Sequence, residues 1–154
     1  MRFEPNDILL DKYSIETLIG QGAFAEVYRV THTKLNVTRA VKILSRETPG
    51  VGSTAFKEFL TRFHLEAQLG AKLNSPTPHP NLLQVYDFQQ KGELLLLEME
   101  YADGGNLADH IDRARESGEL IPVEEAVQIA TDIAEGLATI HAGDIVHRDL
   151  KPSN

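Results

Sequence analysis

The chain has 154 residues, of which 42% are hydrophobic and 25% are charged, a balance typical of a globular domain rather than of a disordered segment. Its formal net charge of -8 argues against a general nucleic-acid-binding or anionic-membrane surface, although a local basic pocket for phosphate stays compatible with it. The absence of cysteine excludes a disulfide scaffold and cysteine-based metal sites, and it fits a cytoplasmic location, which we expect.

Alternating hydrophobic residues predict three consecutive β-strands in the first third of the chain. The predicted strands lie in YSIETLIGQG (13–22), AFAEVYRVTH (23–32) and TRAVKIL (38–44). The glycines between the first two stretches indicate a hairpin turn.

A helix is predicted next, because proline and glycine interrupt the β-pattern at 47–53 and the hydrophobic spacing then changes. Hydrophobic residues recur at steps of three and four, as expected for an amphipathic helix. These residues are Phe56, Leu60, Phe63 and Ala67. The prolines of NSPTPHPN (74–81) predict a loop after this helix.

Two more strands and two more helices are predicted in the remainder of the chain. They lie in LLQVYDF (82–88), ELLLLEMEY (93–101), NLADHIDRARESG (106–118) and PVEEAVQIATDIAEGLATIHAG (122–143). The longest apolar run is the four leucines at 94–97, far below the ~20 residues needed to span a bilayer, so no membrane segment is expected in this stretch. Because the pattern changes at 102–105, we expect a boundary between two lobes there.

The stretch IGQGAFAEV (19–27) fits a phosphate-binding loop, because glycine lets backbone N–H groups approach a ligand closely. It follows the pattern G-x-G-x-x-G-x-V, except that Ala25 stands at the third glycine. A plain hairpin turn explains the same residues. A dinucleotide-binding fingerprint does not, because a strand rather than a helix follows.

Lys42 and Glu66 are two charged residues next to apolar positions. Lys42 lies inside the strand AVKIL, where an unpaired ammonium group is costly to bury. Glu66 follows Phe63 by three residues, so it borders the apolar side of the predicted helix and is a candidate partner. The ordinary alternatives are an edge-strand lysine that points to water and a solvated helix carboxylate.

The last eight residues, HRDLKPSN (147–154), match the pattern H-R-D-L-x-x-x-N and follow a predicted helix. Five fixed positions make a chance match much rarer than for the glycine loop, and a charged surface loop is the alternative. With this match the sequence resembles the eukaryotic-type serine/threonine protein kinase family over residues 13–154. Lys151 and Pro152 resemble the serine/threonine branch in particular.

The resemblance implies an α+β, protein-kinase-like fold that is truncated. It consists of a five-stranded antiparallel sheet with one helix, a hinge, and the first helices of a second lobe. Residues 1–12 would be a lead-in, 13–101 the amino-terminal lobe, and 102–154 the incomplete start of the carboxy-terminal lobe.

The resemblance also assigns a role to each candidate residue. Lys42 would hold the α- and β-phosphates of ATP and pair with Glu66. Asp149 would accept the proton of the substrate hydroxyl, Lys151 would lie near the transferring phosphate, and Asn154 would help to hold Mg²⁺. The nucleotide-binding set would be Ile19, Gly20, Gln21, Gly22, Ala23, Phe24, Val27, Ala40, Lys42, the gatekeeper Met99, and the hinge residues Glu100, Tyr101 and Ala102.

The implied function is ATP-dependent phosphoryl transfer to serine or threonine hydroxyls of a protein substrate, with ATP and Mg²⁺ as cofactors and no nucleic acid as partner. The alternative is a non-catalytic, kinase-like module that binds a nucleotide or a partner. No D-F-G sequence or activation segment follows Asn154, so we expect these 154 residues alone to be inactive.

Three further features depart from the family pattern. Gly70 stands one turn after Glu66, where the family usually has an apolar residue, and residues 75–78 are additional. Glu98 is an unusual charge within an apolar strand.

Overall fold

A computed structural model describes residues 2–45, 52–73 and 77–153 of the chain. The elements in chain order are β1 (Ile8–Leu9), β2 (Tyr13–Gln21), β3 (Ala25–His32), β4 (Val37–Ser45), α1 (Thr54–Leu73), β5 (Val85–Lys91), β6 (Leu94–Met99), α2 (Leu107–Ser117) and α3 (Val123–Ala142). All the strands and helices expected from the sequence are present, and the α+β class is confirmed.

The strands form one antiparallel sheet with the order β1-β2-β3-β4-β6-β5. The sheet has six strands rather than the expected five, because Ile8 and Leu9 pair with the start of β2. A strand of two residues is too short to show an alternating pattern in the sequence. The long β4 and the leucine-rich β6 pair with neighbours on both sides. β6 also contributes to buried clusters on both faces of the sheet, Leu96 to one and Leu95 and Leu97 to the other, which explains its continuous apolar run.

The two faces of the sheet contribute to two different hydrophobic clusters, because successive side chains of a strand point to opposite faces. The first cluster consists of Leu9, Tyr13, Ile15, Tyr28, Val30, Val41, Ile43 and Leu96. The second consists of Ala40, Leu44, Phe56, Phe63, Ala67, Leu95, Leu97 and Met99. Since α1 supplies Phe56, Phe63 and Ala67, the helix covers the second face, as its predicted apolar side requires.

Side-chain caps mark the starts of α1 and α2, and a glycine marks the end of α2. The Ser53 hydroxyl accepts a hydrogen bond from the Phe56 N–H at 3.1 Å at the start of α1. The side chain of Asn106 accepts from the Asp109 N–H at 2.8 Å at the start of α2. Gly118 ends α2 with a φ of 74°, a conformation in which glycine is favoured.

Contacts divide the chain into two compact units. The first unit comprises residues 1–74 and 83–101 and contains the sheet and α1. The second comprises 75–82 and 102–154 and contains α2, α3 and the described part of the HRDLKPSN loop. Asn154 and residues 75 and 76 lie outside the described residues. None of the helices in the described ranges combines the length and apolar character that crossing a bilayer demands.

Candidate functional site

The glycine-rich stretch forms the turn of the β2–β3 hairpin. Gly22 N–H donates to the Ala25 carbonyl at 2.8 Å, which closes the turn. Gly20 lies opposite Val27 in the hairpin, and a Cβ built on Gly20 would lie 3.5 Å from the Val27 Cβ, an ordinary contact distance. Packing within the first unit therefore does not require glycine at position 20. What glycine does provide there is backbone clear of a side chain, which suits close approach by a ligand.

Phe24, at the tip of this turn, contacts helix α1. Its ring centroid lies 5.6 Å from that of Phe56 and 5.4 Å from that of Phe59. The sequence did not reveal this contact, because the aromatic residues of α1 are more than 30 positions away from Phe24. The glycine turn and the helix that carries Glu66 are thus packed together.

Lys42 and Glu66 form the ion pair that the sequence suggested. Lys42 Nζ lies 2.6 Å from Glu66 Oε2, and 22% of the Lys42 side chain is exposed. Lys42 lies opposite Val27 on one side and Leu97 on the other, so β4 is an interior strand and the edge-strand alternative is wrong. Glu66 is held on α1 beside the buried Phe63, whose ring centre lies 5.7 Å from Lys42 Nζ.

Three of the apolar candidates lie close to this pair. Ala40 and Met99 are opposite each other across β4 and β6, and both are buried in the second hydrophobic cluster. Val27 packs against the same cluster. Ile19 differs, because 43% of its surface is exposed. Ala40, Val27 and Met99 therefore form an apolar group on the strands next to Lys42.

The two residues that follow β6 in the first unit, Glu100 and Tyr101, both contact other residues of that unit. Glu100 N–H donates to the Gln84 carbonyl at 2.8 Å. The Tyr101 ring centre lies 5.1 Å from the Arg29 guanidinium carbon, and Arg29 Nε lies 2.7 Å from Glu16 Oε2. The position of this segment is fixed by these contacts. Ala102 is exposed and belongs to the second unit.

The HRDLKPSN loop is held within the second unit. Ala108 N–H, in the first turn of α2, donates to the Pro152 carbonyl at 2.8 Å. Arg148 adopts a φ of 63°, which is uncommon for a residue other than glycine and is often found at functional sites. Lys151 Nζ lies 2.9 Å from Asp149 Oδ2, and 68% of the Asp149 side chain is exposed. The two charged catalytic candidates of this loop are therefore adjacent.

The HPN turn, residues 79–81, packs directly on α3 through a glycine. Asn81 Nδ2 donates to Glu135 Oε2 at 3.1 Å, and a Cβ on Gly136 would lie only 2.9 Å from the Asn81 carbonyl oxygen. No role was predicted for Gly136 from the sequence. The signal was present, since an isolated glycine inside a helical pattern often marks a close approach of another segment.

A divalent cation would need oxygen ligands from this chain. Among residues 2–45, 52–73 and 77–153, no group of three or more histidine, cysteine, aspartate or glutamate side chains is placed to hold a metal ion. Asn154, the residue expected to contribute to Mg²⁺ binding, is outside these ranges.

Comparisons with known proteins agree with this arrangement. The family model for the protein kinase domain matches residues 13–154. The serine/threonine-protein kinase PrkC of Bacillus subtilis is 34% identical over 143 residues, which cover 93% of this chain and 20% of that protein. The serine/threonine-protein kinase PknB of Mycobacterium leprae is 34% identical over 152 residues, which cover 95% of this chain and 22% of that protein.

A solved structure gives the same result for the fold. The crystal structure of the PknI kinase domain from Mycobacterium tuberculosis matches with a TM-score of 0.73 and 29% identity, covering 100% of this chain and 57% of that chain. The chain therefore belongs to the protein kinase family, and the resemblance noted in the sequence is confirmed. It spans about a fifth of the length of the curated relatives described above.

Proposed function

We propose that this chain forms the nucleotide-binding and catalytic-loop portion of an ATP-dependent serine/threonine protein kinase. The observation that carries the proposal is the Lys42–Glu66 ion pair at 2.6 Å, on an interior strand next to the glycine hairpin. A lysine oriented by a carboxylate presents its ammonium group in a defined position, and phosphoryl transfer depends mainly on positioning and charge compensation.

The first unit would bind ATP. The backbone of the hairpin (19–24) and the Lys42 ammonium would hold the phosphates, because both offer hydrogen-bond donors. Val27, Ala40 and Met99 would contact the adenine ring, with Ile19 at the exposed margin. The backbone at 100–102 would bind the polar edge of the base.

The second unit would supply the catalytic loop. Asp149 would accept the proton of a serine or threonine hydroxyl, and Lys151, 2.9 Å from it, would stabilise negative charge on the transferring group. The amide oxygen of Asn154 is a hard ligand of the kind that Mg²⁺ prefers, and the bound ion would neutralise phosphate charge. The 154 residues contain no D-F-G sequence, so we propose that they do not transfer phosphate by themselves.

The second candidate is a kinase-like module that binds nucleotide or a partner without catalysis. Ala25 in the glycine loop and Gly70 in α1 favour it, since both depart from the family pattern. The presence of Lys42, Glu66 and Asp149 favours the enzyme.

Phosphoryl transfer by the protein encoded by the intact gene distinguishes these proposals. Label from [γ-³²P]ATP with Mg²⁺ would be followed into a generic protein acceptor such as myelin basic protein, and binding of a fluorescent ATP analogue would be measured in parallel. K42M is expected to reduce transfer at least about 100-fold, because it removes a positioned donor to the phosphates. K57M, which removes an exposed lysine from α1, is the matched control and should retain full transfer.

Three outcomes are distinct. Transfer that K42M abolishes supports the kinase. Analogue binding without transfer supports the binding module instead. Neither transfer nor analogue binding in the unsubstituted protein refutes the kinase and a nucleotide-binding module, and leaves partner binding as the only form of the second proposal.

A further inference from the structure

Helix α1 lies unusually close to strand β5 at Gly70. A Cβ built on Gly70 would overlap Cγ2 of Val85 and lie 2.9 Å from the Val85 Cβ. Rotation of the Val85 side chain would move its methyl groups, but its Cβ is fixed by the backbone of β5. Any side chain at position 70 therefore requires the helix or the strand to move.

The same helix turn carries Glu66. Gly70 and Glu66 are four residues apart, so they lie on neighbouring points of one face of α1. Phe63 extends this face, and its ring centroid lies 6.1 Å from that of Phe88 on β5. Glu66 Oε2 is 2.6 Å from Lys42 Nζ, a short hydrogen-bond distance that an outward displacement of the helix would lengthen.

We propose that Gly70 and Val85 form a positioning pair that sets how closely α1 approaches β5 and thereby keeps Glu66 within hydrogen-bond distance of Lys42. The glycine is then a specific adaptation to Val85 rather than a loss of packing at this site. Neither residue touches the reacting atoms, so both act through Glu66. The effect on nucleotide binding rests on the proposed function, whereas the effect on helix position does not.

For the substitution G70A, the proposal predicts a change in unfolding temperature opposite in sign to the change that helix propensity predicts. Alanine is favoured over glycine in a helix interior, so propensity alone would raise the unfolding temperature of G70A by about 2 °C. Steric overlap with Val85 would instead lower it by roughly 3–10 °C, the range expected for over-packing in a chain of this size. The sign of the change therefore identifies which effect dominates.

The experiment compares the unsubstituted chain with G70A, V85G and the double variant G70A/V85G. Removing the Val85 side chain makes room for a methyl group at position 70. In the V85G background, the change G70A should therefore raise the unfolding temperature by about 2 °C, as helix propensity predicts. Q68A changes an exposed residue of the same helix and is the control that should leave the unfolding temperature nearly unchanged. If G70A proves too unstable to purify, the comparison of V85G with the double variant still tests the proposal.

Crystal structures of the same variants would report the Lys42 Nζ–Glu66 Oε2 distance. It should exceed 3.5 Å in G70A and return to hydrogen-bond distance in G70A/V85G. In the protein encoded by the intact gene, G70A should raise KM for ATP about tenfold or more, because a charge-assisted hydrogen bond is lost, and the double variant should reverse this.

Two results would overturn the proposal: a rise in unfolding temperature in G70A, or an unchanged Lys42–Glu66 distance in its crystal structure. If the unsubstituted protein neither binds nor uses ATP, the proposed function fails. The unfolding temperatures and the crystal structures then still decide whether Gly70 and Val85 position the helix.

Discussion

Glu98, the unexpected charge in β6, is predicted to stabilise the sheet through a network of long-range contacts. Its side chain is 7% exposed, and one carboxylate oxygen accepts from Tyr13 OH at 2.5 Å and from Lys12 Nζ at 2.9 Å. The other oxygen lies 3.5 Å from Arg39 Nε, an ionic contact without hydrogen-bond geometry. The substitution E98Q preserves the shape of the side chain and removes its charge.

The protonation states in the network make the charge important. Burial favours the neutral amine of Lys12, but hydrogen bonds involving Tyr13, Glu98 and Asp87 more than offset this and raise its pKa, so the amine stays charged. Burial, together with the hydrogen bond to Glu98, also raises the pKa of Tyr13, so the phenol stays protonated and donates. Both donors therefore bind a charged acceptor at position 98, and E98Q replaces it with a neutral one.

The size of the effect follows from these contacts. Breaking a fully buried ion pair costs about 3–5 kcal/mol, whereas one hydrogen bond to a charged group contributes about 1.5–3 kcal/mol. Lys12 is 26% exposed and keeps a second partner, Asp87 Oδ2, at 3.1 Å. The stability lost in E98Q should therefore fall in the range for a single hydrogen bond to a charged group rather than in that for a buried ion pair. We expect E98Q to lower the free energy of unfolding by about 2 kcal/mol.

Urea unfolding of three variants measures this directly. Y13F removes a single donor to the carboxylate and should lower the free energy of unfolding by about 1.5 kcal/mol, the lower end of the range for one such hydrogen bond. E58Q, at an exposed position on α1, is the matched control and should change it by less than about 0.5 kcal/mol. If E98Q is indistinguishable from E58Q, the network around Glu98 does not stabilise the sheet.

Two further predictions concern a helix cap and acid stability. N106A removes the acceptor for the Asp109 N–H at 2.8 Å and should lower the free energy of unfolding by about 1 kcal/mol. N106D keeps an acceptor oxygen and should retain the stability of the unsubstituted chain. Equal losses of stability in both variants would contradict the cap. Burial alone would raise the pKa of Asp87, but the hydrogen bond from Lys12 holds it below the ordinary value of 3.8. The stabilisation by Asp87 is therefore present above about pH 4 and is lost as the pH falls through the lower pKa that Asp87 has in the folded state. The difference in free energy of unfolding between the unsubstituted chain and D87N should therefore shrink in acid. A difference that does not change with pH would contradict this.

The elements that could be predicted from the sequence are those that local patterns specify. The alternation in β2 and β3, and the three- and four-residue spacing in α1, each require only a few neighbouring residues. Lys42 and Glu66 could be paired because each is a charged residue in an apolar setting. Lys42 lies within an apolar strand, and Glu66 lies beside the apolar stripe of a helix. The motif order then assigned them to one site.

The features that could not be predicted depend on contacts between distant residues. Glu98 was noted as unusual, but its partners Tyr13 and Lys12 are about 85 positions away, and only the strand register brings them together. Gly70 was noted as a departure from the family, and only the position of Val85 explains it. In both cases the sequence identified the exceptional residue, and the structure supplied its partner.

The most direct test of the kinase assignment is the rate of phosphate transfer by D149N, measured with [γ-³²P]ATP on the protein encoded by the intact gene. The matched control is D144N, which changes an exposed aspartate five residues earlier whose left-handed backbone, with a φ of 59°, asparagine tolerates. Because Asp149 is the proposed proton acceptor, D149N should reduce the transfer rate about 10²–10⁴-fold, while D144N should leave it unchanged. Equal transfer rates for D149N and D144N would contradict the assignment of Asp149 and, with it, the central claim that this loop performs the chemistry.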